Sequence, residues 1–352
     1  MSDLGREFDA YQAFLLGAKV YWTRELYPAL RDRYETAAAR KKPEMSTADD
    51  VEAWLDGDLD YAFFGWFERH LQRMKYSGRL GLVPAHEPHR DRLENMLSTA
   101  LPDGLLTLDP DFTPPRYFTS VDIHQHPGGV CGDLLAGVVY ERGARTTTPL
   151  LSKHLDLHHR FLDVLCAERM PERIADLGCG FGKSTQPLYT ELRDASVVGI
   201  DVSEPCLRLA AAEAAKGQAA NVRYRQAMAE DTGEPGEAFD LVTSTMLLHE
   251  MPPPAIEGLI AESFRLLEPG GYAIHLDFLA DDDPFNRFIH YGHSRRNNEP
   301  YMPPLNEMDL VEAHERQGFK DVRVIPFEES PGARSPENRG WRFPWAVVIA
   351  QK

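Results

Sequence analysis

The positions of apolar residues divide the chain into two parts that follow different periods. In residues 1–150, large apolar residues recur every three to four positions, the spacing that places them on one face of a helix. A second series starts near Ser46 or Thr47, either of which can cap a helix whose first turn is acidic. These aromatic stripes are typical of core or subunit packing. We therefore predict that residues 1–150 form a mainly helical cap and oligomerisation domain.

Residues 151–352 alternate between amphipathic segments of helical length and short apolar segments. The apolar segments are RIADLG, SVVGID, NVRYRQ, FDLVTS and YAIHLDF, followed near the end by DVRVIP and WAVVIAQK. Strands separated by helices of this length predict a mainly parallel, doubly wound α/β sheet. Such sheets bind ligands beyond the carboxyl ends of their strands.

Composition narrows the classes of partner. The chain has 352 residues, of which 43% are hydrophobic and 26% charged, and its formal net charge is -17. This acidity argues against nucleic acid and anionic membranes as partners, because both attract positive charge. The start MSDLGREFDA does not resemble a secretory signal, and the four cysteines form no CxxC pair. We expect a cytoplasmic protein.

The strongest candidate for chemistry is the segment DLGCGFGKS at the end of the first strand of the second part. A phosphate-binding Walker loop needs glycine where the chain has Leu177, and the dinucleotide fingerprint needs glycine where it has Lys183. Both interpretations therefore fail. What remains is an acid followed by Gly-x-Gly-x-Gly, namely Asp176, Gly178, Gly180 and Gly182.

This pattern resembles motif I of the class I S-adenosylmethionine-dependent methyltransferases. The resemblance covers roughly residues 150–352, because FDLVTSTMLLHEM is similar to the family's fourth strand and LLEPGGYAIHLDF to its fifth. It implies a Rossmann-like, doubly wound, seven-stranded methyltransferase sheet whose last strand is antiparallel. It also implies S-adenosylmethionine as the cofactor.

The resemblance further implies which residues hold the cofactor. The acid and the glycines of motif I would hold the methionine part, Asp201 the ribose, and Val202 would lie against the adenine. Met228 stands where the family usually has an acid, so Ala229 with Glu230 nearby would contact the adenine edge. The full expected set is Tyr140, Asp176, Gly178, Gly180, Gly182, Asp201, Val202, Met228, Ala229 and Thr245.

His249 is the candidate catalytic base, since it follows the fourth strand where the family's sheet faces the transferred methyl group. A hydroxyl or protonated amine acceptor would need such a base, whereas a thioether would not. The alternative is that His249 only packs and bonds locally. In the segment HQHPGG, we expect His124 and His126 to bind or orient the acceptor; the alternative is a buried turn.

The segment after the fifth strand is dense in aromatic, histidine and arginine residues. In related enzymes the corresponding insertion covers the substrate. We therefore expect Arg295 and Arg296 to bind an acceptor carboxylate, with Tyr291 forming part of the wall.

A metal site is not predicted. His124 and His126 alternate, and His154 and His158 lie four residues apart, but no third ligand is evident from the sequence.

The predicted function is methyl transfer to an O, N or S atom of a small molecule, by a protein that forms a homodimer. Two other classes stay open. One is a non-methylating, cyclase-like enzyme that uses the same cofactor; the other is a catalytically silent binding subunit. A nicotinamide oxidoreductase is disfavoured by Lys183.

Overall fold

A computed structural model describes residues 4–40, 45–145 and 156–352. The N-terminal part is mainly helical, as predicted. Its helices are α1 (Arg6–Tyr21), α2 (Tyr27–Ala39), α3 (Ala48–Trp54), α4 (Leu59–Tyr76), α5 (Leu82–His86), α6 (Arg90–Leu97), α7 (Arg116–Thr119) and α8 (Ala136–Ala144), with a short strand β1 (Leu106–Thr107). A π-helical turn, Trp22–Leu26, joins α1 to α2 without a break.

The rest of the chain alternates helices and strands. Its helices are α9 (Asp156–Glu168), α10 (Thr185–Glu191), α11 (Glu204–Lys216), α12 (Pro253–Leu266), α13 (Pro284–Asn297), α14 (Met302–Glu307) and α15 (Leu310–Gln317). Its strands are β2 (Arg173–Leu177), β3 (Ser196–Asp201), β4 (Val222–Gln226), β5 (Phe239–Thr245), β6 (Leu267–Phe278), β7 (Lys320–Pro326) and β8 (Trp345–Gln351). Each strand predicted from an apolar segment is present.

The strands of the described chain form one sheet in the order β1-β4-β3-β2-β5-β6-β8-β7. Strands β1 to β6 pair in parallel, whereas β8 is antiparallel to both β6 and β7. The order reverses at β2, where the chain moves outward first to β3 and later to β5. The doubly wound fold class with an antiparallel last strand is therefore confirmed, and the point of reversal is where such sheets bind ligands.

Alternate residues of the central strands feed two separate cores. On β2, Ile174 belongs to a core with Val197 of β3, whereas the next residue, Ala175, belongs to a second core with Val198. This alternation follows from the two-residue period of a strand, and helices cover both faces.

The first of these cores also joins the two parts of the chain. Trp22 and Phe64 from the N-terminal helices lie in the same cluster as Phe285 of α13 and Trp345 of β8. The division at residues 150 and 151 stays a prediction, and it falls within residues 146–155, outside the described ranges.

Three local features differ from the expectation. Strand β1 extends the sheet beside β4, although the sequence around it indicated only short helices and loops. The helix predicted from Ser46 onward is two helices: Thr47 closes a capping box on α3, and Asp58 caps a separate α4. The polar segment after β6 is the helix α13, whose N-cap Asp283 accepts a hydrogen bond from the Asn286 amide.

Within the described ranges, no helix combines the length and apolar character needed to cross a membrane.

Candidate active site

The glycine loop follows β2, and its three glycines have different roles. All three adopt left-handed backbone angles, with φ of 66° at Gly178, 52° at Gly180 and 81° at Gly182. A Cβ on Gly178 would lie 2.6 Å from the Leu247 side chain, and one on Gly182 would lie 2.9 Å from Ala210. A Cβ on Gly180 would meet nothing within 4 Å. Gly178 and Gly182 therefore permit close packing, whereas Gly180 leaves open space over the loop.

Asp201 is tied to this loop at the carboxyl end of β3. Its Oδ2 accepts a hydrogen bond from the Gly180 amide at 2.8 Å, and its Oδ1 accepts one from Ser203 at 2.8 Å. Burial raises the pKa of Asp201, and the backbone donors oppose this effect. The carboxylate therefore fixes the open glycine in position.

A cavity of about 90 Å³ lies beside Asp201. Val202 and Ala229, both expected to contact adenine, are in its wall. Met228 is not; it forms an isolated bridge with Asp231. Glu230 accepts a hydrogen bond from the Tyr117 hydroxyl at 2.9 Å, and Tyr117 closes the same cavity.

Asp176 lies outside the walls of both cavities, but its Oδ1 is buried without a hydrogen-bond partner, and its contact with the cofactor stays a prediction. It is fully buried, and its Oδ2 accepts hydrogen bonds from Ser184 at 2.8 Å and Thr185 at 2.7 Å. Burial raises its pKa to about 6, and these two hydroxyls oppose the rise. Asp176 thus anchors the start of α10, and Gly182 likewise serves packing rather than the cavity wall.

A larger cavity, of about 170 Å³, adjoins the first. The two share five wall residues, which are Tyr140, Gly178, Gly180, Met246 and Glu250. Thr245, at the end of β5, also lines the larger cavity. Met246 has a left-handed φ of 57°, a strained conformation for a residue with a side chain and one that is frequent at functional sites.

His249 lies in the wall of the larger cavity, on a short 3₁₀ turn after β5. Its Nδ1 is 2.6 Å from Asp277 Oδ1, and its Nε2 is 3.4 Å from Glu250 Oε1. Burial by itself lowers the pKa of His249, but Asp277 and then Glu250 raise it well above the usual value. The ring is therefore held by a carboxylate on each side.

His124 reaches the same cavity from the N-terminal part of the chain. Its Nδ1 lies 2.8 Å from Glu299 Oε1, and its Nε2 lies 3.1 Å from Glu250 Oε1. Burial lowers its pKa, but the two carboxylates outweigh this effect and raise it to about 9. The result is a buried series of alternating acids and imidazoles, which runs from Asp277 through His249, Glu250 and His124 to Glu299.

The backbone of the HQHPGG segment is strained where His124 enters the cavity. His124 and Gln125 both have left-handed φ, 54° and 57°, a conformation that costs about 1–2 kcal/mol per residue. Hydrogen bonds hold the segment on two sides: Gln72 donates to the His124 carbonyl at 2.9 Å, and Gln125 donates to the Arg296 carbonyl at 2.6 Å. The segment therefore joins α4 to the end of α13.

His126 does not share this position, so the two histidines have different environments. Its ring stacks on Tyr76 at 4.9 Å, it is 2% exposed, and it lies outside the walls of both cavities. Burial lowers its pKa to about 4, with His124 and Lys75 adding to the decrease. This placement favours the alternative of a buried turn for His126, and its contact with the acceptor stays a prediction.

The residues expected on the segment after β6 do not line the cavities either. Arg295 is on the surface and pairs with Glu52 at 3.2 Å. Arg296 is turned inward, where it pairs with Glu68 and lies 3.2 Å from the Tyr61 hydroxyl. Tyr291 is half-buried outside both walls. Because α13 is a helix, these side chains point outward or into the helix interface rather than hanging over the sheet.

Sequence reasoning missed much of the far wall of the larger cavity. That wall combines aromatic rings with buried polar groups, including Lys19, Trp22, Glu68, Gln72, Glu299, Trp341 and Phe343. Glu250 is adjacent to His249 in the sequence, so its position was accessible to sequence reasoning. The seven wall residues named above come from four separate segments of the chain, and no local sequence motif identifies them.

The described residues contain no group of three or more His, Cys, Asp or Glu side chains that could hold a metal ion. His158 lines the larger cavity, whereas His154 lies outside the described residues.

The chain is similar to known methyltransferases in the region that carries this site. Residues 174–271 match the family described as "Methyltransferase domain". An uncharacterized methyltransferase of Synechocystis sp. is 36% identical over 100 residues, which are 28% of this chain and 44% of that protein. A ubiquinone biosynthesis O-methyltransferase of Acinetobacter baylyi is 33% identical over 102 residues, 29% of this chain and 41% of that protein. The chain thus spans less than half the length of these curated relatives.

One of the solved structures similar to this chain is phosphoethanolamine N-methyltransferase 2 of Haemonchus contortus in complex with S-adenosyl-L-methionine. It is 17% identical, with a TM-score of 0.42, and the alignment covers 55% of this chain and 52% of that one.

The matched segment contains the glycine loop, Asp201 and His249. Residues 174–271 are therefore similar to the methyltransferase domains of this family. The predicted family is therefore confirmed, and with it S-adenosylmethionine as the cofactor of that family. The geometry fits this cofactor, because the space open at Gly180 joins a cavity beside a carboxylate at the end of β3.

Proposed function

We propose that the protein transfers a methyl group from S-adenosylmethionine to an oxygen, nitrogen or sulfur atom of a small molecule. The observation that carries this proposal is the junction of two cavities at the carboxyl ends of the central strands. The smaller, beside Asp201, suits an adenosine group, and the larger extends beyond Gly180 toward His249. A cofactor that spans the junction directs its reactive end into the larger cavity.

When bound, S-adenosylmethionine supplies an electrophilic methyl group on a sulfonium. In the chain, Gly180 leaves room for the methionine part, and Asp201 accepts hydrogen bonds from the ribose. Each carboxylate oxygen of Asp201 accepts one backbone hydrogen bond and retains capacity for another. The enclosed walls then hold the acceptor in line with the methyl group and exclude water.

A small molecule is the proposed acceptor because residues of the N-terminal helices close the far side of the larger cavity. Trp22 from the π-turn, and Glu68 and Gln72 from α4, lie in that wall. A relative whose name is "Ubiquinone biosynthesis O-methyltransferase" supports the same proposal. The N-terminal helices therefore serve as a cap over the acceptor.

The same helices present an exposed aromatic surface, which supports the proposed homodimer. Phe14 is 57% exposed, Phe63 47% and Trp66 53%, and the rings of Phe63 and Trp66 stack at 6.0 Å. Exposed apolar patches of this kind are frequent at protein interfaces. The proposed location is the cytoplasm, where the four free cysteines would stay reduced.

Two measurements test the function. Calorimetry determines whether the protein binds S-adenosylmethionine and S-adenosylhomocysteine, and mass spectrometry follows S-adenosylhomocysteine and methylated product across a panel of alcohols, phenols, amines and thioethers. We expect binding of both ligands, together with product from part of the panel. Cofactor consumption without a methylated product would indicate a cyclase-like enzyme, and absence of binding would indicate a silent subunit.

A further inference from the structure

One carboxylate oxygen of Glu250 has no partner in the described chain. Its Oε1 faces His124 Nε2 at 3.1 Å and His249 Nε2 at 3.4 Å, whereas its Oε2 is buried without a hydrogen bond. A buried acceptor left unpaired is unfavourable, because it has lost its hydrogen bonds to water. Glu250 is also in the walls of both cavities. We therefore expect the missing donor to come from a ligand at the junction.

The two histidines beside Glu250 are arranged as hydrogen-bond donors. His249 Nδ1 faces Asp277 at 2.6 Å, and His124 Nδ1 faces Glu299 at 2.8 Å, while both Nε2 atoms face Glu250. An ionised carboxylate can only accept hydrogen bonds, and the Tyr140 hydroxyl, 3.4 Å from His124 Nε2, can accept one too, so this arrangement places a hydrogen on each ring nitrogen. Both rings are then imidazolium ions, and neither has a lone pair that can take a proton from an acceptor.

Building on the methyl transfer above, we propose that the acceptor is a hydroxyl compound whose O–H donates to Glu250 Oε2 and whose proton Glu250 receives. An oxygen lone pair forms the new carbon–oxygen bond. The carbon–sulfur bond breaks, and its electron pair goes to sulfur, which becomes neutral. The hydroxyl proton passes to Glu250 and neutralises the carboxylate. His124 and His249 are positioning residues, since they fix Glu250 through its other oxygen.

The environment of Glu250 favours a hydroxyl acceptor over a thioether or an ammonium. A thioether has no hydrogen to donate to Oε2. An ammonium has one, but must lose it before it can attack, and this needs a stronger base. Burial raises the pKa of Glu250, but His124 and His249 outweigh this effect and lower it to about 2. A hydroxyl keeps a lone pair while it still bears its hydrogen, and it becomes strongly acidic as the new bond forms. A weak base therefore suffices.

The first test needs no acceptor. Long-range ¹H–¹⁵N spectra of histidine-labelled protein report which ring nitrogens carry hydrogen, and His124→Gln and His249→Gln variants assign the two signals. We expect both rings to be doubly protonated near neutral pH. A neutral His249 ring with a bare Nε2 would overturn the proposal, because His249 would then be the base.

The second test uses turnover. We expect S-adenosylhomocysteine to form with alcohols or phenols, and Glu250→Gln to lower kcat by about 10²–10⁴-fold, with unchanged affinity for S-adenosylhomocysteine. Glu262→Gln is the matched control, since it removes a buried carboxylate, paired with Arg265, that lies outside both cavities; its kcat should equal that of the wild type. An unchanged kcat in Glu250→Gln, or preferred turnover of amines or thioethers, would refute the proposal.

The two proposals fail in different ways. If the wild type forms no S-adenosylhomocysteine with any acceptor, the proposed function fails, while the protonation of His249 and His124 still decides the role of Glu250.

Discussion

Replacing Gly180 by alanine separates backbone strain from contact with the cofactor. At φ of 52°, alanine strains the backbone by about 1–2 kcal/mol, and its methyl group projects into open space in the walls of both cavities. Gly57 is a matched control: its φ is 72°, a Cβ there also meets nothing within 4 Å, and it lies on the surface away from the cavities. Both variants should therefore lose similar stability, but only Gly180→Ala should lose affinity.

The magnitude follows from the cost of overpacking. An extra methyl group in a close-packed contact costs about 1–3 kcal/mol, which corresponds to a rise in Kd of roughly five- to a hundredfold. Calorimetric titration with S-adenosylhomocysteine measures Kd, and urea unfolding measures the free energy of unfolding. An unchanged Kd in Gly180→Ala, or an equal loss of affinity in Gly57→Ala, would show that the cofactor does not lie against Gly180.

Two further predictions concern histidines. His126→Gln should lower the free energy of unfolding by about 1–3 kcal/mol, because it removes the ring stacked on Tyr76, whereas His124→Gln should chiefly lower turnover. Urea unfolding measures the first effect and product formation the second. Equal effects in both variants would contradict the different roles assigned to the two histidines. His275 and His290 are fully buried, and burial lowers the pKa of each to about 3. Below about pH 6.5 the two histidines bind protons in the unfolded chain but stay neutral in the folded chain. The free energy of unfolding should therefore decrease as the pH is lowered from about 6.5 to 3. A free energy of unfolding that stays constant from pH 7 to 5 would contradict this prediction.

The sequence predicted the sheet well because its signals are local. Most of the buried strands are short apolar runs, the glycine loop follows β2 directly, and Asp201 is the last residue of β3. The helix α13 was not recognised because its polar composition masked the Asp-Pro start, in which Asp283 caps and proline takes the first helical position. Strand β1 has only two residues, too few to show a period.

The candidate site was predicted only in part, because much of its wall is assembled from distant segments. Gly180, Asp201 and His249 belong to motifs that the fold places at one edge of the sheet. Glu68 and Glu299 reach the larger cavity through the packing of α4 against α13, which no local pattern specifies. Asp176 shows the reverse case: its place in a motif predicts a ligand contact, but only the structure shows that its Oδ2 also holds the start of a helix.

The π-helical turn at Trp22–Leu26 has a consequence for the geometry of the larger cavity. An α-helix advances about 100° per residue, and a π-turn holds one residue more than the α-helical turn it replaces. Removing one residue here would rotate α1 by about that angle relative to α2. Trp22, whose indole donates to the Phe64 carbonyl at 3.1 Å, and Thr23, whose carbonyl accepts from the Trp341 amide at 2.9 Å, would lose these partners. The direction in which the N-terminal helices present their aromatic rings therefore depends on one extra residue in this turn.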